Sequence, residues 1–404
     1  MPKVLRILNR LAVGGPVLNA TYLSKYLSPE FETLLVVGAK EHHEQSASFI
    51  ADSLGVDVLT IPQMKRAVQP ADDYQAFQAI RKVIKEFEPD VVHTHASKPG
   101  VLGRLAASHE GVPAIVHTFH GHSFHSYFNS LTSNVYIKAE RFLARKSSAI
   151  VAISETQKRE LVQDFRIAPE EKFRVIPLGL DLDKFGENMT EKRAKFRKEF
   201  AIAEDEIAIG IIGRLVPVKN HNLFLTAIAH VLKNTTKKIK AFIIGDGETR
   251  IDLENTAIEL GIKFSTEKEK QHLHPLVFTS WRSDVDVINA GLDIVALTSL
   301  NEGTPVSLIE AQAANKPIVS TRVGGIGDIV IEGKTALLAD VTDTALFCKH
   351  LLNLVANDAL RSETGSKSRC YVTKRFSYHR LVTDMSELYY ELLSEKITAN
   401  AVLR

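Results

Sequence analysis

The sequence predicts an α/β protein built from two doubly wound, parallel-sheet domains. Its 404 residues exceed what one hydrophobic core usually holds, so two domains are the default. Short Val/Ile/Leu runs recur without polar alternation, the pattern of strands buried on both faces of a parallel sheet. Between them lie segments of helical periodicity that end near proline, such as "DYQAFQAIRKVIKEFEP". Strand alternating with helix gives α/β, and two such series give two domains.

The first series runs "KVLRIL", "ETLLVVG", "VDVLTIP", "PDVVHTH", "PAIVHTF", "AIVAIS" and a strand from Arg174 to Ile176. That strand meets Pro177 and Gly179, and a charged, helix-prone stretch follows, so the boundary is placed at Phe185. The domains expected are residues 1–185 and 186–375, with 376–404 as a C-terminal amphipathic helix. The second series runs "IAIGIIG", "KAFIIGDG", "PLVFTS", "LDIVALT" and "PIVST".

Composition excludes several classes. The chain is 45% hydrophobic and 24% charged, with a net charge of +2. It is too balanced to mark a nucleic-acid binder. Its two cysteines, Cys348 and Cys370, show no metal-ligand spacing and fit a reduced compartment. No segment reaches the roughly 18 apolar residues of a spanning helix. The N-terminus shows no long apolar core or cleavage site. A cytoplasmic protein is expected, peripheral on the inner membrane face at most.

Open parallel sheets bind ligands beyond the carboxyl ends of their strands, beside helix N-termini. Four loops of the second series sit there. After "IAIGII" come Gly213, Arg214 and Lys219, a glycine permitting close approach and two cations suited to a diphosphate or simply solvated. Gly245 and Gly247 flank Asp246 in a turn. Trp281 and Arg282 follow "PLVFTS", a place that suits either contact with a nucleobase or a Trp plugging the sheet rim. Finally, "LDIVALTSLNEGTPVSLIEAQAANKPIVST" places Glu302 and Gly303 in a loop. Thr304 and Pro305 are the expected N-cap and first residue of the next helix. Within that helix Glu310 has Val306, Ser307, Ala313 and Ala314 as neighbours, none a cation. Each acid taken singly is explained as a dipole complement or a half-exposed helical residue.

Together, "GRLVPVKNH", "GDGE", "NEGTPVSLIEAQAANKPIVST" and "VGGIGDIV" occur in order between Gly213 and Val330, and the resemblance they carry covers nearly the whole chain. This combination resembles the retaining GT-B glycosyltransferases of family 4. The resemblance implies two Rossmann-like domains facing a cleft, with the C-terminal helix crossing back to the first. It implies that Glu302 and the loop Gly303, Thr304 and Pro305 hold the donor sugar. Glu310 would take the ribose hydroxyls, and Arg214 and Lys219 would clamp the diphosphate. Gly15, Gly213, Gly245 and Arg282 complete the expected donor site. Both acids are then expected to lack cationic partners because sugar hydroxyls serve them.

On the acceptor side, Gly14 and Gly15 precede a helix, and histidines crowd two strand ends: His93, His95, His117, His120, His122 and His125. No zinc spacing supports a metal cluster, and the family generally needs none, so no metal or other cofactor is expected. His120 matches the family's histidine that points at the donor sugar. His95, His122 and Lys98 are acceptor-side candidates, although Lys98 reads equally as a surface lysine. "DLD" at Asp181 to Asp183 reads as a hinge. Leu178 and Asp328 depart from the Asn and Glu common in the family.

The implied function is transfer of a sugar, expected to be UDP-linked such as UDP-GlcNAc or another UDP-hexose, to a saccharide or lipid-linked saccharide in cell-surface polysaccharide synthesis. Arg214, Lys219, Glu302 and His120 form the expected catalytic set. A UDP-N-acetylhexosamine 2-epimerase shares the architecture, and a non-catalytic nucleotide-sugar binder fits the same residues. The segment Tyr136–Ser147 carries cations interleaved with apolar residues. It suits either an anionic bilayer surface or packing on the sheet with a solvated basic face.

Overall fold

The computed structural model describes residues 1–11, 14–39, 47–65, 67–121, 130–269 and 274–402. The chain forms two compact units, Met1–Leu180 with Phe376–Arg404, and Asp181–Arg375. The division thus falls at Leu180, ahead of Phe185, and the turn Asp183–Phe185 belongs to the second unit.

The first unit holds strands β1 (Lys3–Leu8), β2 (Glu32–Gly38), β3 (Val58–Ile61), β4 (Val91–His95), β5 (Ala114–Phe119), β6 (Ala149–Ala152) and β7 (Phe173–Val175). They form one sheet in the order β3-β2-β1-β4-β5-β6-β7. Every pairing is parallel, as expected for strands read as unbroken apolar runs. Alternate residues of a strand face opposite sides. Leu5, Ile7, Val92 and Ile115 face one core cluster. Val4, Val91, Ala114 and Val116 face another, which includes Leu381, Met385, Leu388, Tyr389 and Leu392 of the helix Tyr378–Val402. Their spacing puts these five on one stripe of that helix. Burying each leucine or methionine contributes about 1.5–3 kcal/mol.

The second unit holds β8 (Ile207–Ile212), β9 (Ile239–Ile244), β10 (Phe264–Thr266), β11 (Leu276–Phe278), β12 (Ile294–Leu297), β13 (Ile318–Thr321) and β14 (Ala336–Ala339), ordered β10-β11-β9-β8-β12-β13-β14. This sheet is also parallel throughout. The edge strands β10 and β14 were absent from the expected series. They are only three and four residues long, and β10 alternates in burial instead of running apolar. No helix among the described residues is long and apolar enough to cross a membrane.

Candidate functional site

Each sheet has one point where strand order reverses, and the flanking loops there open a crevice at the carboxyl ends. In the second unit the reversal lies between β8 and β12. The loop after β8 carries Gly213, Arg214 and the turn Pro217–Lys219; the loop after β12 carries Thr298 to Thr304. Backbone and side chains stitch the two together. Leu300 N donates to Val218 O at 2.8 Å, and Thr298 Oγ1 to Lys219 O at 2.9 Å.

The same two loops bring Lys219 Nζ to 2.5 Å from Glu302 Oε1, and Ser299 Oγ donates to that oxygen at 2.6 Å. The expectation that Glu302 lacks a cationic partner is therefore corrected. Its partner lies 83 residues away, beyond the reach of local sequence reading. Behind the acid sits the Gly324–Gly325 turn. At Gly324 φ is +48°, and a Cβ would fall 1.8 Å from the Glu302 carbonyl oxygen. Gly325 N donates to that oxygen at 3.1 Å.

The helix after this loop spans Val306–Ala313 and its N-cap is Pro305, where the chain is still extended (ψ 109°). Thr304 is thus not the N-cap, and its hydroxyl is buried with no hydrogen-bond partner among the described residues. Three residues of this region escaped the sequence reading. Ser299 orients Glu302, and its signal was the polar pair Thr298 and Ser299 directly following a buried strand. Asp286 and Lys184 set the charge around Glu310 and carry no local signal.

Glu310 is half-buried as a residue, and its carboxylate has no hydrogen-bond or ion-pair partner among the described residues. Burial, reinforced by Asp286 and opposed by Lys184, pushes its carboxyl up to about 7. Arg214 is exposed and likewise unpartnered among the described residues. A Cβ on Gly213 would meet only the Lys219 side chain, at 3.8 Å, so space remains over that backbone.

Two expected donor residues have structural work. Gly245 has φ +140°, and a Cβ there would strike the Gly213 carbonyl oxygen at 2.0 Å, so it lets the loops after β8 and β9 pack together. Arg282 donates to Asp284 at 2.8 and 2.7 Å and to Glu199, so its guanidinium is paired within the protein. The neighbouring Trp281 is 36% exposed.

In the first unit the reversal lies between β1 and β4. The loop after β1 reaches Gly14, which is extended (φ 162°), and Gly15 opens the helix Gly15–Tyr26. β4 ends at His95, and Ala96 then turns the chain at φ 68°, ψ 170°, a strained region for any residue but glycine. His93, His95, Thr118 and His120 share one face of the sheet with Arg6, which pairs in register with His93. There Arg6 Nη1 donates to Ser24 Oγ at 2.9 Å and Nη2 to Tyr389 Oη at 3.3 Å. Tyr389 Oη lies 2.6 Å from His93 Nδ1, and His93 Nε2 lies 2.7 Å from Thr118 Oγ1. The His93 and His95 rings stack at 4.3 Å, and His95 Nδ1 lies 2.8 Å from His120 Nε2.

Burial holds all these imidazoles neutral. It keeps His93 and His95 well below the usual range, with Arg6 adding to the effect on both, and drives His120 down to about 3. Arg6, a charge inside "KVLRIL", was the visible signal of this polar row, and Tyr389 its hidden partner. His93 is thereby a structural residue. So is His117, fully enclosed on the opposite face with Nδ1 2.8 Å from Thr94 Oγ1. Lys98 is no free surface lysine, because its ammonium pairs with Asp73 at 2.5 Å. His122 and His125 lie outside the described residues. Among the described residues, no three His, Cys, Asp or Glu side chains gather as a metal-binding group.

The fold and motifs define a sugar-transferring enzyme class. The glycosyl transferases group 1 model matches residues 192–370, and the glycosyltransferase family 4 model matches 13–184. The chain belongs to this family of GT-B glycosyltransferases and is a hexosyltransferase. It is 28% identical over 337 residues to the UDP-Gal:alpha-D-GlcNAc-diphosphoundecaprenol alpha-1,3-galactosyltransferase of Escherichia coli, covering 83% of this chain and 84% of that one. A D-inositol 3-phosphate glycosyltransferase of Corynebacterium efficiens is 26% identical, covering 75% and 72%. Among solved structures, Anabaena HepE in complex with UDP and glucose superposes with a TM-score of 0.80 at 18% identity, covering 97% of this chain and 100% of that one. Sucrose-phosphate synthase from Thermosynechococcus elongatus superposes at 0.79 and 15% identity, covering 98% and 100%.

Proposed function

We propose that the chain transfers a hexose from a UDP-linked donor, with retention at the anomeric carbon, to a lipid-linked saccharide in cell-surface polysaccharide synthesis. One observation carries the donor assignment. The unpartnered Glu310 carboxyl, the exposed Arg214 and the Lys219–Glu302 pair are all borne by the loops and helix at one strand reversal. An ionised Glu310 can accept two hydrogen bonds from a ribose diol, which relieves the cost of a buried, unbonded acid. Arg214 and Lys219 would balance charge developing on the departing diphosphate, the largest electrostatic demand of the step. Glu302, oriented by Ser299, would hold the sugar hydroxyls together with the amide of Gly303, and His120 would serve the donor sugar, as the family resemblance implies. In this reading two side-chain cations do the work a metal does elsewhere. The UDP assignment draws on Anabaena HepE, solved with UDP. The acceptor draws on the Escherichia coli relative, named for a diphosphoundecaprenol-linked substrate.

A lipid-linked acceptor calls for a surface that meets a bilayer. The helix Ser130–Lys146 supplies a fitting one: Val135 and Phe142 are 68% and 52% exposed, alongside exposed Lys138, Arg141 and Arg145. Glu140, the acid in that stretch, is buried against Arg104. Exposed apolar residues among uncompensated cations suit an anionic interface.

Calorimetric titration with UDP, GDP and ADP tests the donor reading, with UDP repeated on Glu310→Ala and Arg214→Ala. Tight UDP binding, weakened in both variants, is expected. A preference for GDP would overturn the donor base, and no binding of any nucleotide by folded protein would overturn the site.

A further inference from the structure

We infer that His95 is a positioning residue that fixes which atom His120 offers to the sugar, the two imidazoles acting as one tautomeric pair. This rests on the reading above, in which His120 serves the donor sugar. The geometry carries the pairing. His95 Nδ1 and His120 Nε2 are 2.8 Å apart, with ring centroids 5.1 Å apart and planes inclined by 26°. The remaining nitrogens, His95 Nε2 and His120 Nδ1, are buried and make no hydrogen bond among the described residues.

A neutral imidazole carries one N–H and one lone pair. The shared bond consumes one of each, so the two outer nitrogens always comprise one donor and one acceptor. When His95 Nδ1–H donates, His120 must carry its other proton on Nδ1 and presents an N–H. When His120 Nε2–H donates, His120 presents a lone pair at Nδ1, and His95 carries its proton on Nε2. The pair is neutral in either arrangement, so it meets a hydroxyl as donor or as acceptor without acquiring charge.

The rest of the row holds His95 in place. Tyr389 Oη receives Arg6 Nη2–H, so its own O–H is given to His93 Nδ1 and His93 donates through Nε2 to Thr118. That fixes the His93 ring, and His95 stacks on it at 4.3 Å. A protonated pair would face Arg6, His93 and His117 without any carboxylate among them, which opposes ionisation.

His95→Phe keeps a ring in the stack and removes both nitrogens; His95→Gln restores a hydrogen-bonding side chain. The readouts are the ¹⁵N shifts of the His120 ring and the steady-state constants with a UDP-sugar. In the parent protein, one protonated and one bare His120 nitrogen are expected. In His95→Phe these collapse toward an average of both tautomers, kcat falls about 100-fold as the reacting groups lose alignment, and donor KM stays within about 3-fold. His95→Gln recovers a separated pair of shifts and part of kcat. Unchanged His120 shifts and unchanged kcat in His95→Phe overturn the proposal. Should His95→Phe fail to fold, the His120 shifts in His95→Gln decide it, and shifts averaged over both tautomers there also overturn it. The donor reading fails separately, on the UDP titration of the parent protein, while the nitrogen shifts still judge the pairing.

Discussion

Lys219 and Glu302 meet at 2.5 Å at the ends of adjacent strands, each already held by a neighbour: Glu302 by the Ser299 hydroxyl, Lys219 through its carbonyl by Thr298. Their side chains are only 19% and 10% exposed, so the pair acts as one unit and not as a solvated surface bridge. Lys219→Ala and Glu302→Ala should each lower kcat by about 100-fold or more. The double variant should be little worse than either single one, because residues acting together are not additive. Losses that multiply in a double-mutant cycle would separate the two roles.

Glu310 predicts opposite pH effects on binding and stability. Its folded value, about 7, lies above its unfolded value of 4.5, so ionising it costs stability. The cost is absent below about pH 4.5, grows as pH rises, and is complete above about pH 7. Glu310→Gln should therefore be more stable than the parent by about 1–3 kcal/mol at pH 8 and equal to it near pH 4.5. UDP affinity of the parent should rise between pH 6 and pH 8 as the acceptor carboxylate forms, and stay flat in the variant. Denaturant titrations and calorimetry at the two pH values check both.

Gly324→Ala places a methyl group against the Glu302 carbonyl and forces alanine to φ +48°. Backbone cannot yield as a flexible side chain does, so about 1–3 kcal/mol of stability should be lost. Activity should fall further than stability alone explains, since the displaced loop carries Glu302. Gly111→Ala, also at positive φ but facing open space, is the control and should leave activity intact.

Flotation with liposomes tests the basic helix. The parent should float with anionic vesicles in low salt and release as ionic strength rises. Phe142→Ser with Arg145→Glu should abolish flotation while leaving UDP binding unchanged, because neither residue belongs to the second unit. Equal flotation of parent and variant would place any membrane contact elsewhere.

If Arg214 and Lys219 supply the positive charge for the diphosphate, EDTA should leave the transfer rate within about 2-fold of its untreated value. A rate restored only by a divalent ion would show that these cations are insufficient.

Much of this was legible beforehand, for physical reasons. Strands buried on both faces announce themselves as apolar runs, and so β1, β8 and β12 appeared where expected. The short edge strand Phe264–Thr266 did not, because half of it faces outward and three residues set no period. The sequence motifs placed Lys219 and Glu302 in loops beyond strand ends and Glu310 in the helix that follows; that both loops flank one sheet reversal came from the strand order. They did not reveal that Lys219 pairs with Glu302, since no local pattern records a contact across 83 residues. Nor did they reveal that Arg282 is held by Glu199 and Asp284. For the same reason the sequence reading passed over Arg6, a charge inside an apolar strand whose partner, Tyr389, stands at the other end of the chain.

The helix Tyr378–Val402 completes the first unit's core although the whole second unit precedes it in the chain. During synthesis the second unit can fold as soon as Arg375 has left the ribosome. The first cannot cover Val4, Phe31 and Val91 until Leu381, Met385 and Tyr389 have emerged. The half of the protein made first is thus finished last. Until then its exposed apolar face makes the growing chain a client for chaperones, and a frameshift late in the reading frame would damage the earliest-translated domain while sparing the later one.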